Sequence, residues 1–260
     1  MANNCTMAGD RLAGRVAMVT GAGRGVGAVV AAALAAEQAA LAVCDLDPGS
    51  VVEVAEQVAQ SCGARTAAVT VDVSDGGSVR AAVSEIESSL GPVDILVTCA
   101  GVEVVERFAE SDGADWQRCI DVNLVGTFHC CRAVLDRMLE RGRGRIITVG
   151  SDAGKAGLAG TAVYAASKGG VIAFTKSLAR EVASRAITVN CLCPGPSDAL
   201  MADLLIGQGP KLHDSVLHAI SMGRLGRPEE LAAAAVFLAA DGAGYITGQA
   251  ISVSGGLTMN

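Results

Sequence analysis

The stretch VAMVTGAGRGVGAVVAAALAAEQAA (residues 16–40) decides how the rest of the chain is read. Its opening apolar run, Val16 to Thr20, is too short for a helix and suits a strand buried on both faces. Glycines follow at 21, 25 and 27, and then an Ala-rich segment of helical period. Glycine permits positive φ and lets a ligand come close to the backbone. A helix that opens there offers free N–H groups and the positive end of its dipole to a pyrophosphate. The spacing is G-x-x-x-G-x-G, not the strict G-x-G-x-x-G of dinucleotide turns. A plain tight strand–helix connection would also use it. Arg24 and Val26 lie inside the turn, so Gly21, Arg24, Gly25, Val26 and Gly27 form one candidate cofactor-binding set.

The same strand-then-helix alternation runs to the end of the chain. LAVCDL, AAVTVDV, VDILVTCAG, GRIITVGS, AITVNCLCPG and GQAISVSGG read as further strands. The segments between them carry helical periodicity, including one long helix through WQRCIDVNLVGTFHCCRAVLDRMLERG. Alternating units of this kind predict a parallel α/β sheet of about seven strands, doubly wound, in a Rossmann arrangement. No Pro/Ser-rich linker divides the 260 residues, which predicts a single domain over 1–260.

Asp45 ends the second strand, about twenty residues beyond the glycine turn. An acid there accepts hydrogen bonds from the ribose hydroxyls of NAD and repels a 2′-phosphate. Arg24 pulls the other way, because a base in the turn can meet that phosphate. Asp45 carries the greater weight, since bringing two anions together costs several kcal/mol while an arginine can swing aside. NAD is the expected cofactor. Asp72 and Val73, at the end of the third strand, lie where an adenine is expected; a capped strand end would read the same way.

Composition narrows the classes. A formal net charge of -7 argues against nucleic acid or an anionic membrane as partner. The N-terminal MANNCTMAGDRLAGR lacks the basic-then-apolar pattern of a signal peptide, which predicts a cytoplasmic protein. Apolar stretches such as LAAAAVFLAA fall short of the ~20 residues that span a bilayer. Nine cysteines then read as reduced, core-packing thiols, and with three scattered histidines no metal site is expected.

YAASK (164–168) supplies the chemistry. Positions i and i+4 share a helix face, so Tyr164 and Lys168 can enter one cleft. A phenol ionises near pH 10, too high for a base in the cell. An ammonium about 5 Å away, at an effective dielectric of about 20, favours the phenolate by on the order of 3 kcal/mol, or about two pKa units. The expectation is that Lys168, helped by a bound nicotinamide cation, brings Tyr164 within reach of neutrality, where general acid–base catalysis works best. Ser151 follows the strand RIITVG, at the sheet edge where open α/β sheets place ligands, and its hydroxyl can hold a substrate oxygen. Asn123, in DVNLVG, can extend a proton path through water. A serine after a strand is ordinarily a cap, and a helical asparagine ordinarily bonds the local backbone.

Taken together, TGAGRGVG, Asp45, Asp72, Asn123, Ser151 and Y-x-x-x-K resemble the short-chain dehydrogenase/reductase family. The likeness covers nearly the whole chain, including CPG, GRLGRPEELA and YITGQAISVSGG. It implies a nicotinamide cofactor and a Ser–Tyr–Lys–Asn catalytic set. Tyr164 is then the acid–base, Ser151 positions the reacting oxygen, Lys168 also binds the nicotinamide ribose, and Asn123 supports the relay. Ala100, Gly101, Pro194, Gly195 and Ser197 join the implied cofactor contacts. Two departures stand out. The family's Asn-Asn-Ala-Gly is Thr98-Cys99-Ala100-Gly101 here, and its threonine after Pro-Gly is Ala199, with Ser197 as a substitute. The likeness also implies a homotetramer built through the long helices around 115–140 and 164–183.

The segment around 197–224 is where the family places a substrate lid. It is mostly apolar and predicts a small hydrophobic pocket. GSDAGKAGLAGTAVYAASKGGVIAFTKSLARE, VNCLCPGPSDALMADLL and SVSGGLTM resemble, more narrowly, the 2-hydroxycyclohexanecarboxyl-CoA dehydrogenases. The implied substrate is a secondary alcohol or ketone carried on an acyl-CoA, with Lys155, Lys211, Arg224 or Arg227 as candidate partners for CoA phosphates. A 3-oxoacyl carrier-protein reductase using NADPH is the alternative within enzymes. A nucleotide-sensing protein without catalysis is the alternative outside them, and the intact Ser–Tyr–Lys–Asn set argues against it.

Overall fold

The structure is a computed structural model and describes residues 9–197 and 210–259, without the side chains of 210–213. Seven strands form one sheet in the order β3-β2-β1-β4-β5-β6-β7. They are β1 (Val16–Thr20), β2 (Ala40–Asp45), β3 (Thr66–Thr70), β4 (Ile95–Thr98), β5 (Gly144–Val149), β6 (Ile187–Pro194) and β7 (Ala250–Val253). Every pairing is parallel. The order reverses between β1 and β4, and the crevice at such a switch point, outside the carboxyl ends of the strands, is where this architecture binds ligands.

The apolar strands are apolar because both faces are covered. Ala17, Val19, Leu41, Val43, Ile95 and Val97 face α1 (Gly25–Ala36), α2 (Pro48–Cys62) and α9 (Pro228–Ala239). Met18, Ala42, Cys44, Leu96 and Ile146 point the opposite way, toward α3 (Gly76–Ser89), α5 (Gly126–Arg141) and α7 (Ala162–Val182). That alternation is the period-two geometry of a strand between two helical layers. Local chemistry sets the boundaries. Asp47 and Asp75 cap α2 and α3 by accepting from backbone N–H groups, and Gly63 ends α2 in the left-handed region at φ 64°.

The single long helix expected over 116–142 is two helices. α4 (Gly113–Ile120) and α5 are joined by a π-helical turn, Asp121–Val125. One extra residue per turn rotates Asn123 off the regular helical face and buries it completely. A short α6 (Asp152–Ala156), not expected from sequence, follows β5. The remaining helix, α8 (Pro210–Ala219), lies in the segment read as a lid; residues 198–209 of that segment, with Ala199, are outside the described residues.

Eight described cysteines are free, and all but Cys99 are buried, in line with thiols that pack the core. Among the described residues no group of side chains could hold a metal ion, and no helix is long and apolar enough to cross a membrane.

Candidate active site

The glycine turn and the end of β2 meet as the sequence requires. Gly21 has φ +65°, and a Cβ there would stand 2.6 Å from the Ala100 nitrogen. A Cβ on Gly27 would overlap the Gly21 carbonyl, so the first turn of α1 sits directly on the end of β1. Asp45 accepts from Gly23 N at 2.9 Å and from Leu46 N at 2.7 Å, which holds its carboxylate against the turn. Arg24 is exposed, and its guanidinium makes no hydrogen bond or ion pair among the described residues. Asp72 accepts from Ser74 N and Ser74 Oγ at 2.9 and 2.6 Å, the pattern of a capped strand end, and Val73 is buried with its carbonyl bonded to His129.

The catalytic candidates converge. Ser151 ends the β5 connection and is the N-cap of α6, its Oγ accepting from Ala153 N at 3.1 Å. The same hydroxyl faces the cavity beside the Tyr164 phenol and favours its ionised form. It is therefore both the cap that sequence reasoning feared and a neighbour of the phenol. Lys168, one turn beyond Tyr164 on α7, is 4 % exposed. Its Nζ donates to the Val149 carbonyl at 2.9 Å and lies 5.9 Å from the Tyr164 ring centroid.

Asn123 occupies the π turn. Its Oδ1 accepts from Val102 N at 2.8 Å, and its Nδ2 donates to Val102 O at 2.9 Å and Ser167 Oγ at 3.0 Å. The side chain staples the loop after β4 to α7. That loop carries Cys99, Ala100 and Gly101, and a Cβ on Gly101 would stand 3.2 Å from Asn123 Oδ1 and 3.4 Å from Lys168 Nζ, which favours glycine there.

Cys99, Gly101, Ser151, Tyr164 and Lys168 line one cavity of about 430 Å³, together with Val26, Val102, Glu103, Val105, Asp152, Leu158, Pro194 and Gly195, while Asn123 lies behind its wall. A second cavity, also about 430 Å³, shares Val26, Pro194 and Gly195 with it and adds Ser197, Ser254 and Gly256. The two meet where the glycine turn faces the end of β6.

The electrostatics correct one sequence expectation. Burial pushes the Tyr164 phenol up to about 12; the Glu103 carboxylate pushes the same way, and the Ser151 hydroxyl opposes them. Lys168 does not bring the phenol toward neutrality in the dinucleotide-free protein. The reason is that the ammonium is itself stripped of water, with its own pKa lowered by burial, and is held by a backbone carbonyl.

The candidates for CoA phosphates fare unevenly. Lys155 turns inward to Ala250 O and Ser252 Oγ at 2.8 and 2.9 Å. Arg224 pairs with both carboxylate oxygens of Glu230 at 2.8 and 2.6 Å. Arg227 stays largely exposed, and the Lys211 side chain is outside the described residues. Sequence reasoning missed Glu103 and Asp152. The one available signal for Glu103 was a lone acid in the apolar loop GVEVV, two residues past Gly101.

The family model described as Enoyl-(Acyl carrier protein) reductase matches residues 21–258, from the glycine turn through the Ser, Tyr and Lys positions to the chain's end. The chain belongs to the short-chain dehydrogenase/reductase family. Its members are oxidoreductases that use a nicotinamide dinucleotide, and the sheet order and the buried Ser–Tyr–Lys cluster accord with that membership. Relatives within the family include Nodulation protein G of Rhizobium sp. (strain N33), 39% identical over 248 residues, or 95% of this chain and 98% of the relative. Acetoacetyl-CoA reductase of Allochromatium vinosum is 38% identical over 95% of this chain and 99% of its own. The 3-oxoacyl-(acyl-carrier-protein) reductase of Escherichia coli (strain K12) is 38% identical over 95% and 98%. Among solved structures, a candidate gluconate dehydrogenase from Agrobacterium tumefaciens superposes with a TM-score of 0.91 at 35% identity, over 96% of this chain and 98% of that one.

Proposed function

We propose that this protein interconverts a secondary alcohol and a ketone by NAD-dependent hydride transfer, with Tyr164 as acid–base. The observation that carries the reading is the convergence of the Ser151 and Tyr164 hydroxyls and the buried Lys168 ammonium on one cavity that reaches Val26 of the glycine turn. A dinucleotide fits the residues present. Gly21 and Gly27 let the loop after β4 and the first turn of α1 close onto the end of β1, which sets the α1 N-terminus at the strand edge, and Asp45 stands at the strand end with its carboxylate half-buried. Gly21, Gly25 and Gly27 would hold the pyrophosphate, Asp45 the adenosine ribose, Asp72 and Val73 the adenine side, and Ala100, Gly101, Pro194, Gly195 and Ser197 the nicotinamide half. When bound, the nicotinamide supplies the hydride acceptor and a nearby positive charge.

The chain's own residues do the rest. Ser151 holds the substrate oxygen beside the phenol. Tyr164 takes the hydroxyl proton as the carbinol is oxidised and returns it in the reverse direction. Lys168 would stabilise the phenolate together with the cofactor's charge, and by the family likeness its ammonium would also hold the nicotinamide ribose. Asn123 positions the loop at 99–102 and, through it, the floor of the site. Its part in a proton relay rests on the family likeness.

NAD is favoured over NADP by Asp45. The substrate we propose is a cyclic hydroxyacyl-CoA such as 2-hydroxycyclohexanecarboxyl-CoA. Supporting it are the apolar walls from Val102, Val105, Leu158, Val216 and Leu257, and relatives whose names specify acyl thioesters. The second reading is a 3-oxoacyl carrier-protein reductase using NADPH, favoured by the exposed, unpartnered Arg24. A cytoplasmic homotetramer joined through α4, α5 and α7 completes the proposal. The test is dinucleotide turnover at 340 nm with NAD and NADP against cyclic and linear hydroxyacyl-CoAs. The reading expects NAD turnover of a ring substrate that Tyr164→Phe abolishes. Full turnover by Tyr164→Phe, or a preference for NADP with linear 3-oxoacyl substrates, would overturn it.

A further inference from the structure

Two carboxylates line the cavity that holds the catalytic hydroxyls, and among the described residues Lys168 is the one cationic side chain facing them there. Glu103 is exposed at the rim and makes no hydrogen bond or ion pair among the described residues. Asp152, immediately after Ser151, is 3 % exposed; Ser252 donates to its Oδ1 at 2.6 Å, while its Oδ2 is buried with no hydrogen-bond partner. The rest of the substrate side is apolar: Val102, Val105, Leu158, Pro196, Val216 and Leu257. Toward solvent the Glu103 charge is screened, while across the apolar side of the cavity it acts over a longer range than in water.

We infer that Glu103 is a specificity-determining residue that rejects a free carboxylate beside the reacting carbon and admits a neutral acyl group, such as a thioester or an ester. The inference rests on the hydride-transfer reading and deepens it, because it decides in which chemical form the acyl group enters. A neutral thioester brings no charge to the cleft, and the amide N–H groups along a pantetheine arm can donate to Glu103 at the rim. The Lys155 ammonium reaches Asp152 through Ser252 Oγ and offsets that carboxylate, so Glu103 is the carboxylate left to repel a free acid, with the Lys168 ammonium already given to Val149 and Tyr164. Glu103 is also close enough for its charge to act on both the phenol and the Lys168 ammonium.

Arg224 beside the second cavity is neutralised by Glu230, and the Cys191 and Cys193 thiols, 3.9 Å apart, are fully buried.

The experiment compares trans-2-hydroxycyclohexanecarboxylate and its methyl ester, each as both enantiomers, as substrates for the wild type and for Glu103→Gln with NAD. The expected result is a wild-type ratio of kcat/KM, ester over acid, of about tenfold or more, which falls at least about fivefold in Glu103→Gln because the acid gains. An acid oxidised as well as its ester by the wild type, or a ratio that Glu103→Gln leaves in place, overturns the inference. If neither compound turns over in any variant, the hydride-transfer reading on this ring has failed, and a substrate-free readout decides the inference instead. In a Tyr245→Phe background Tyr164 is the one remaining tyrosine. There Glu103→Gln should move its phenolate absorbance at 295 nm to lower pH. An unmoved titration means that the Glu103 charge does not face the reacting centre, and the inference falls.

Discussion

The ammonium of Lys168 lies 5.9 Å from the centroid of the Tyr164 ring and is tethered to the Val149 carbonyl at 2.9 Å. The lysine is thus held by the end of β5, the strand that also delivers Ser151. Burial of both groups opposes ionisation of the phenol, and the cofactor's charge is what remains to tip the balance.

That arrangement sets a titration. With Tyr245→Phe in place, Tyr164 should give no phenolate signal until the pH approaches about 12 in dinucleotide-free protein. Saturating NAD should lower the midpoint by a unit or more. The sign for stability follows from the raised value. The folded state favours the neutral phenol, so its contribution is complete below about pH 10 and is lost as the pH climbs through about 12. Absorbance at 295 nm with and without NAD checks both statements.

Asn123→Ala should destabilise the protein by about 2–4 kcal/mol, because it strands the buried Val102 N–H and C=O. Turnover should fall as well, through displacement of the 99–102 loop. Urea unfolding measures the first effect. Asn123→Asp, which keeps the acceptor for Val102 N but sets a buried carboxylate oxygen against Val102 O and Ser167 Oγ, should cost at least as much as alanine.

Asp45→Ser should shift cofactor preference. The substitution removes the carboxylate that repels a 2′-phosphate and leaves Arg24 exposed beside it. The ratio of kcat/KM for NADP over NAD should rise by about tenfold or more. A ratio that does not move would mean that Asp45 serves the turn through Gly23 alone.

Gly21→Ala should abolish dinucleotide binding and cost about 2 kcal/mol or more, since it adds a left-handed strain at φ +65° to a clash with Ala100. Calorimetric NAD titration and thermal unfolding read the two effects separately.

The Glu230 carboxyl is held down to about 2 by Arg224, then by the Arg227 N–H. Its depressed value means that the clasp contributes fully above the ordinary carboxylate range and is lost as pH falls through about 2. Glu230→Gln should therefore flatten the loss of stability between pH 5 and 2, and added salt should shrink the difference, because the pair is exposed.

The sheet was legible in the sequence because a doubly covered parallel strand must be apolar throughout and must be followed by a helix. VAMVT, LAVCD and RIITV carry that signal without ambiguity. The Tyr164–Lys168 spacing was legible for the same kind of reason, a fixed helical period. The π turn at 121–125 was not, since inserting one residue leaves the apolar pattern on both sides intact and changes the phase alone. Nor was α6, whose five residues are too few to show a period. The lowering assigned to Lys168 alone was too large, because a pairwise charge argument omits the solvent that burial removes from both partners. Glu103 was passed over because a single acid in a loop usually faces water.

Ser151 caps α6 and meets Tyr164 with one hydroxyl. Scaffold and chemistry are therefore not separable heritable traits at this position. A change that tilts the small helix also re-aims the group beside the phenol, so directed evolution toward new substrates should collect its tolerated changes at the exposed cavity residues Leu158 and Val105 and leave 151–156 untouched.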